Sequence, residues 1–174
     1  MLIGLCGQAY SGKSTLANYL IEQGFQRMAF GDGLKEMLIK AGMCNHHEVY
    51  SEKTMLSRWL MQKVGTEIFR NQIDKDFWIK LLNMKLQAYD YDFQDNIVID
   101  DIRMPNEAAM VRSNGGFLIR VKRLNYTPKN IDLTHESESQ IDSIECDVVL
   151  AAESGEVGKL KHDLDYFLKG IKNG

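Results

Sequence analysis

The sequence predicts a three-layer α/β domain around a five-stranded, mainly parallel sheet, and three observations carry that prediction. Five short apolar runs of strand length alternate with stretches whose apolar residues recur at helical spacing. The first run, Leu2-Ile3-Gly4-Leu5-Cys6, is apolar at successive positions, as a strand buried on both faces requires. It leads through glycines straight into a helical pattern. A chain of 174 residues buries roughly two-thirds of its unfolded surface, so one domain spanning residues 1–174 can fold without a metal or disulfide scaffold.

The elements follow in order. After the first strand, Lys13–Gln23 places Leu16, Ala17 and Leu20 on one helical face. Phe25–Phe30 reads as a short second strand, and Asp32 is suited to cap a helix over Leu34–Ala41. Glu52–Arg70 reads as one long helix with Leu56, Leu60, Val64 and Ile68 as its buried stripe. Arg58, Gln62, Thr66 and Arg70 share that period on the opposite side. Asp76 opens a further helix to about residue 90, with Phe77, Leu81, Leu82 and Leu86 inward. Asp95-Asn96 is a turn, and Ile97-Val98-Ile99 is a central strand ending at Asp100-Asp101. Pro105 suits the first turn of a helix over Asn106–Arg112, which Gly115-Gly116 ends. Phe117–Val121 is the fourth strand, Asp147–Ala151 the fifth and Lys159–Leu168 the closing helix. Between strands four and five, about residues 122–140, the pattern disappears into basic residues, Pro128 and the polar run His135-Glu136-Ser137-Glu138, which reads as a lid.

Composition sets bounds. Apolar content of 44% and charged content of 26% are those of an ordinary globular protein, and a formal charge of -3 speaks against a nucleic-acid-binding surface. No apolar run approaches the ~20 residues needed to cross a bilayer, so no membrane partner is expected. Met1 to Cys6 lack the basic flank of a signal peptide and are expected to stay as a strand. Cys6, Cys44 and Cys146 have no metal-ligand spacing, and Cys6 and Cys146 lie in apolar runs; they read as structural thiols of a reducing cytoplasm.

Gly7-Gln8-Ala9-Tyr10-Ser11-Gly12-Lys13-Ser14 fulfils the pattern G-x-x-x-x-G-K-[ST] between a predicted strand and a predicted helix. Glycines let the backbone curl so that N–H groups point inward, and the helix start adds unpaired donors. Lys13 would reach the β- and γ-phosphates of ATP, and the Ser14 hydroxyl would ligate Mg²⁺. Gly7, Tyr10, Ser11, Gly12, Lys13, Ser14 and Thr15 are therefore the expected nucleotide-binding residues. A GTP switch would carry N/T-K-x-D after a later strand, and none is present. The arginines of the middle helix and those after strand four suit an anionic second substrate.

With these motifs placed, the chain resembles the deoxynucleoside monophosphate kinases of tailed bacteriophages and their bacterial relatives. The likeness runs through Gly4–Gly7 and its phosphate loop, Ala29–Lys35, Gln62–Arg70, Asp76-Phe77-Trp78, Asp101–Ala108 and His135–Glu138. It implies the P-loop kinase fold, ATP with Mg²⁺, and phosphoryl transfer to a (deoxy)nucleoside 5′-monophosphate, giving the diphosphate and ADP. The alternatives are a kinase of another small metabolite, such as dephospho-coenzyme A, and a non-catalytic nucleotide-binding protein. A bacteriophage origin would place it in the host cytoplasm, and the sequence leaves monomer and homodimer both open. Gly33 stands where the family usually has proline, and Asp100 where a hydroxyl residue is commoner.

The resemblance also assigns roles. Residues of about 34–92 would form the acceptor-binding region, with Asp32, Lys35, Arg58, Gln62, Arg70 and Glu107 as substrate-binding residues. Asp101 is matched to the active carboxylate, although Asp100 is an alternative, and Arg103 would neutralise phosphate charge with Glu107 fixing it. Lys13, Asp101, Arg103 and Arg70 form the expected catalytic set. Arg123, with Lys129 as a second candidate, would be the lid cation over the phosphates. The plainer readings are a helix cap for Asp32, a solvated face for the arginine stripe and a strand-end ion pair for Asp101 and Arg103.

Overall fold

All five residues of β1 (Leu2–Cys6) are buried, as its uninterrupted apolar sequence demands. In this computed structural model, which describes residues 1–88, 96–126 and 140–173, β1 is the middle strand of a five-stranded sheet. The others are β2 (Gln26–Met28), β3 (Ile97–Ile102), β4 (Phe117–Arg123) and β5 (Val148–Ala152). Their order is β2-β3-β1-β4-β5, and every neighbouring pair is parallel. Ile3 lies opposite Val98 on one side and Phe117 on the other.

The helices are α1 (Lys13–Glu22), α2 (Asp32–Lys40), α3 (His46–Tyr50), α4 (Met55–Gln62), α5 (Phe77–Ala88), α6 (Pro105–Ser113) and α7 (Val157–Asn173). The chain forms two compact units. The first comprises residues 1–28 and the described residues from 96 onward; the second begins at Ala29 and runs through the described residues to 88.

In the first unit, α1 and α7 cover one face of the sheet. Leu16, Leu20, Leu160 and Leu164 pack there with Ile3, Leu5, Val98, Ile119 and Val121. On the other face α6 comes so close that a Cβ placed on Gly4 would lie 3.3 Å from the Val111 side chain. These are the three layers the alternating pattern predicts. β2 is shorter than the run Phe25–Phe30; among the described residues it is an edge strand, and it pairs with Ile97–Ile99. β3 instead extends past Ile99 through both aspartates to Ile102.

The second unit departs most from expectation. The single helix predicted over Glu52–Arg70 is α4 followed, from Lys63 to Ile73, by a π-helical segment. The expected buried stripe is not the buried one: Leu56 is 56% exposed and Ile68 42%. Small residues go inward instead. Ser57 is fully buried, its hydroxyl donating to the carbonyls of Glu48 (2.8 Å) and Thr54 (3.1 Å). Gly65 lies against Leu34, and its carbonyl accepts a hydrogen bond from Trp78 Nε1 at 2.8 Å. Close backbone approach through Ser57 and Gly65 wins over the hydropathy of the larger side chains. Phe69, Phe77 and Trp78 then form an aromatic cluster with ring centres 4.6–5.2 Å apart. The unpredicted α3 is closed by a capping box, Asn45 accepting from the Glu48 N–H while Glu48 accepts from the Asn45 N–H.

Candidate active site

Parallel pairing puts the C-terminal ends of β1, β3, β4 and β5 along one edge of the sheet, where open α/β folds bind ligands. The phosphate-loop motif leaves that edge from the middle strand. Its shape needs glycine at two places. Gly7 has φ 145°, and a Cβ there would sit 2.3 Å from the Val121 carbonyl oxygen. Gly12 has φ 107° and precedes α1 with no side chain capping the helix. Tyr10 holds φ 60° without being glycine, a strained conformation of the kind found at ligand-binding loops. The Ser11 hydroxyl is buried with no hydrogen-bond partner, and Ser14 is exposed on the first turn of α1 with Thr15 beside it. An orphaned hydroxyl and an uncapped helix start are both incomplete without an acceptor.

Lys13 is folded into the loop it belongs to. Its ammonium donates to the carbonyls of Gly7 (2.6 Å) and Gln8 (2.7 Å), and the residue is only 8% exposed. Burial first, then the positive charge of Arg103, bring its pKa down to about 7, while Asp100 and Asp101 oppose the fall. Burial also lowers the Arg103 guanidinium, with Asp101 and Glu107 acting in the other direction. Lys13, Asp100, Asp101 and Arg103 thus share one electrostatic neighbourhood.

The two aspartates are set by a break in register. Gly4 pairs with Ile99 and Cys6 with Ile102, so β3 has two residues, Asp100 and Asp101, where β1 has only Leu5. Such a bulge re-aims side chains beside a site and replaces the strict alternation expected of the strand. Asp100 accepts from Arg27 Nε at 2.9 Å through Oδ2, while its Oδ1 is buried with no partner. Glu107 is 3% exposed and accepts from the backbone N–H groups of Arg103 (2.8 Å) and Met104 (3.1 Å), tying the end of β3 to the start of α6. It therefore positions Arg103 through the main chain. Sequence reading missed Arg27, for which an adjacent carboxylate pair at a strand end was the available signal.

Arg123 ends β4. Its guanidinium donates to Ser154 Oγ at 2.9 and 2.6 Å and lies 4.2 Å from the centre of the Tyr126 ring. The predicted lid reaches the described residues only at 122–126 and 140; its remainder, with Lys129, His135 and Glu138, lies outside them.

The second unit holds the expected acceptor residues. Asp32 is the first residue of α2 rather than its cap, and Gly31 takes the cap position. Lys35 Nζ donates to Asp32 Oδ1 at 3.0 Å and lies 4.6 Å from the centre of the Tyr50 ring. Arg58 and Gln62 are exposed on α4, with Arg58 Nε reaching the Lys53 carbonyl at 3.4 Å. Arg70 is half-buried in the π-helical segment, whose i→i+5 bonding takes it out of the period-four line. Glu67 pairs with Lys63 at 2.7 Å.

A family model described as deoxynucleotide monophosphate kinase matches residues 43–164 of this chain. A putative deoxynucleotide monophosphate kinase of Acanthamoeba polyphaga mimivirus is 31% identical over 177 aligned positions, covering 86% of this chain and 87% of its own. Among solved structures, TT1252 from Thermus thermophilus superposes with a TM-score of 0.54 at 15% identity, covering 98% of this chain and 97% of that one, a likeness of fold.

Proposed function

From its place in the deoxynucleotide monophosphate kinase family, to which this chain belongs, we propose how it phosphorylates a nucleotide with ATP. The acceptor in this reading is a deoxynucleoside 5′-monophosphate, and the products are the diphosphate and ADP. The observation that carries it is the phosphate loop: an uncapped helix start, an orphaned Ser11 hydroxyl and an ammonium held by loop carbonyls. Gly7, Tyr10, Ser11, Gly12, Lys13, Ser14 and Thr15 bind the triphosphate. Lys13 and Arg103 oppose the charge that develops on the transferred group. The acceptor is already an anion, so positioning replaces a strong general base.

Mg²⁺ fits the donor set. Ser14 offers an exposed hydroxyl, and the bulge offers carboxylate oxygens, including the unpartnered Asp100 Oδ1; hard oxygen donors of this kind suit it. Among the described residues no cluster of three or more acidic, His or Cys side chains could hold a metal. When bound, Mg²⁺ supplies charge neutralisation at the phosphates. Asp101 is carried as the active carboxylate, with Asp100, braced by Arg27, as the second candidate. Asp32, Lys35, Arg58, Gln62 and Arg70 hold the acceptor, Glu107 keeps Arg103 in place, and Arg123 is the cation for the ATP phosphates.

The partner is a small nucleotide rather than nucleic acid or lipid, a reading supported by the charge of -3; among the described residues no helix is long and apolar enough to cross a membrane. We place a bacteriophage-type enzyme in the cytoplasm and leave monomer or homodimer to measurement. The deciding experiment incubates the protein, ATP and Mg²⁺ with a panel of ribo- and deoxynucleoside monophosphates and with dephospho-coenzyme A. Diphosphate formation from at least one deoxynucleotide is expected. Turnover of dephospho-coenzyme A without any monophosphate would overturn the acceptor assignment.

A further inference from the structure

Two cysteines far apart in sequence meet at the root of the phosphate loop. Cys6 is the last residue of β1, and its Sγ lies 3.1 Å from Sγ of Cys146. Both thiols are free. The contact is built by the sheet: Cys6 lies opposite Arg120 of β4, and Asp147 is tied to β4 through its N–H to the Leu118 carbonyl at 2.9 Å. The Asp147 carboxylate also accepts from the Leu118 N–H at 2.7 Å. Arg120 straps the segment before β5, donating to the carbonyls of Ile141 (2.9 Å) and Ile144 and to Asp142 (3.2 Å). Cys6 is thus held by the middle strand, and Cys146 faces it from a segment tied to β4 through Asp147 and Arg120.

The environment also activates one of them. The hydrogen bond with Cys6 and the Arg120 guanidinium bring the Cys146 thiol down to about 7, against burial and Asp147, while the same bond and burial push Cys6 up. A half-buried, low-pKa sulfur beside a second thiol is the usual arrangement of an oxidant-sensitive dithiol. Cys44 is buried in the other unit with its thiol pushed up by burial, and serves as an internal control.

We infer that Cys6 and Cys146 form an oxidation site at which a peroxide closes a reversible disulfide that weakens ATP binding. The Cys146 thiolate attacks one peroxide oxygen, the O–O bond breaks, and Cys146 becomes a sulfenic acid while hydroxide leaves and is protonated to water. The Cys6 sulfur then attacks the sulfenic sulfur; the S–S bond forms, the S–O bond breaks, and the oxygen departs with the Cys6 proton as a second water. Two thiols lose two electrons and the peroxide gains them. Dithiol reductants reverse the step by exchange.

The loop registers the change because it starts at the next residue. Bonding brings the sulfurs to about 2.05 Å, a closure of roughly 1 Å from their present 3.1 Å. Gly7 is packed on the Val121 carbonyl without room for a Cβ, and its own carbonyl holds Lys13, so in this proposal any movement of Cys6 reaches the loop at its first residue. Misplacement by about 1 Å can cost ~100-fold in a preorganised site.

The test uses the whole chain, reduced and then treated with hydrogen peroxide. Intact mass, non-reducing peptide maps and ATP titrations are compared before treatment, after it, and after dithiothreitol. The expected product has lost two hydrogens, links Cys6 to Cys146 and leaves Cys44 free. Its ATP affinity should fall by at least about tenfold and recover on reduction. Cys146→Ser should keep its untreated affinity through the same treatment. Absence of the Cys6–Cys146 link, or a link with unchanged ATP affinity, would overturn the inference. Only the affinity readout rests on the phosphate-loop reading: reduced protein that fails to bind ATP defeats that reading, while the peptide map still judges the dithiol.

Discussion

Lys13 carries a consequence for pH. In the free protein its pKa is about 7, chiefly because it is buried. A triphosphate favours the charged ammonium and must raise that value. Protonated protein is then the form that binds, so ATP affinity should fall as pH rises above about 7, and binding between pH 7 and 9 should take up a proton. Calorimetric titrations in buffers of different ionisation enthalpy measure that uptake directly; none at pH 8 would contradict it. Arg70 makes the complementary case. If it serves the acceptor, Arg70→Ala should strongly reduce transfer while changing ATP affinity by less than about tenfold, or ~1.4 kcal/mol. Lost ATP affinity with unchanged monophosphate affinity would reverse the assignment.

Among the elements, the start of α2 gives the sharpest packing test. A Cβ on Gly33 would lie 2.3 Å from Leu81 Cδ2, so this glycine makes room for α5 within its own unit. Gly33→Ala should change stability by no more than about 1 kcal/mol, because the end of the half-buried Leu81 side chain can turn aside and alanine favours the helix over glycine, and Leu81→Ala in the same protein should remove the remaining clash. Chemical denaturation of the two single variants and the double variant reads the coupling; strict additivity would count against it. These elements also show what the sequence could reveal. The phosphate loop was legible because its chemistry is set by residues within one short turn. The bulge at Asp100 and Asp101 was not, since register is a property of two strands and only one is local. The seam through Ser57 and Gly65 was hidden because apolar periodicity assigns large side chains to the interior. The capping box of α3 is local and legible in the spacing of Asn45 and Glu48. Cys6 and Cys146 read as separate buried thiols because sheet order, which brings them together, is not encoded in the alternation of runs.

For the molecule as a whole, ligand binding should be visible as stability. ATP with Mg²⁺ at about 100 times its Kd should stabilise the native state by ~2.7 kcal/mol. For a chain of this length that corresponds to a rise of roughly 5–11 °C in the melting midpoint of the unit bearing the phosphate loop. Lys13→Ala should remove most of the rise while remaining folded, and should lower phosphoryl transfer by at least ~100-fold. An undiminished shift in that variant would take the lysine out of nucleotide binding. The sheet order has a further consequence, for synthesis. β1 is made first, yet its two neighbours are Ile97–Ile102 and Phe117–Arg123. At about 5–20 residues per second, the ribosome needs roughly 6–23 s to go from residue 6 to residue 123. Until Ile102 has been added, this strand, buried at all five positions, has no native partner on either side, and until Arg123 it lacks the second. The nascent chain therefore presents a sticky leading segment long before it can be used, and cells making this protein have a reason to let a chaperone hold its first residues.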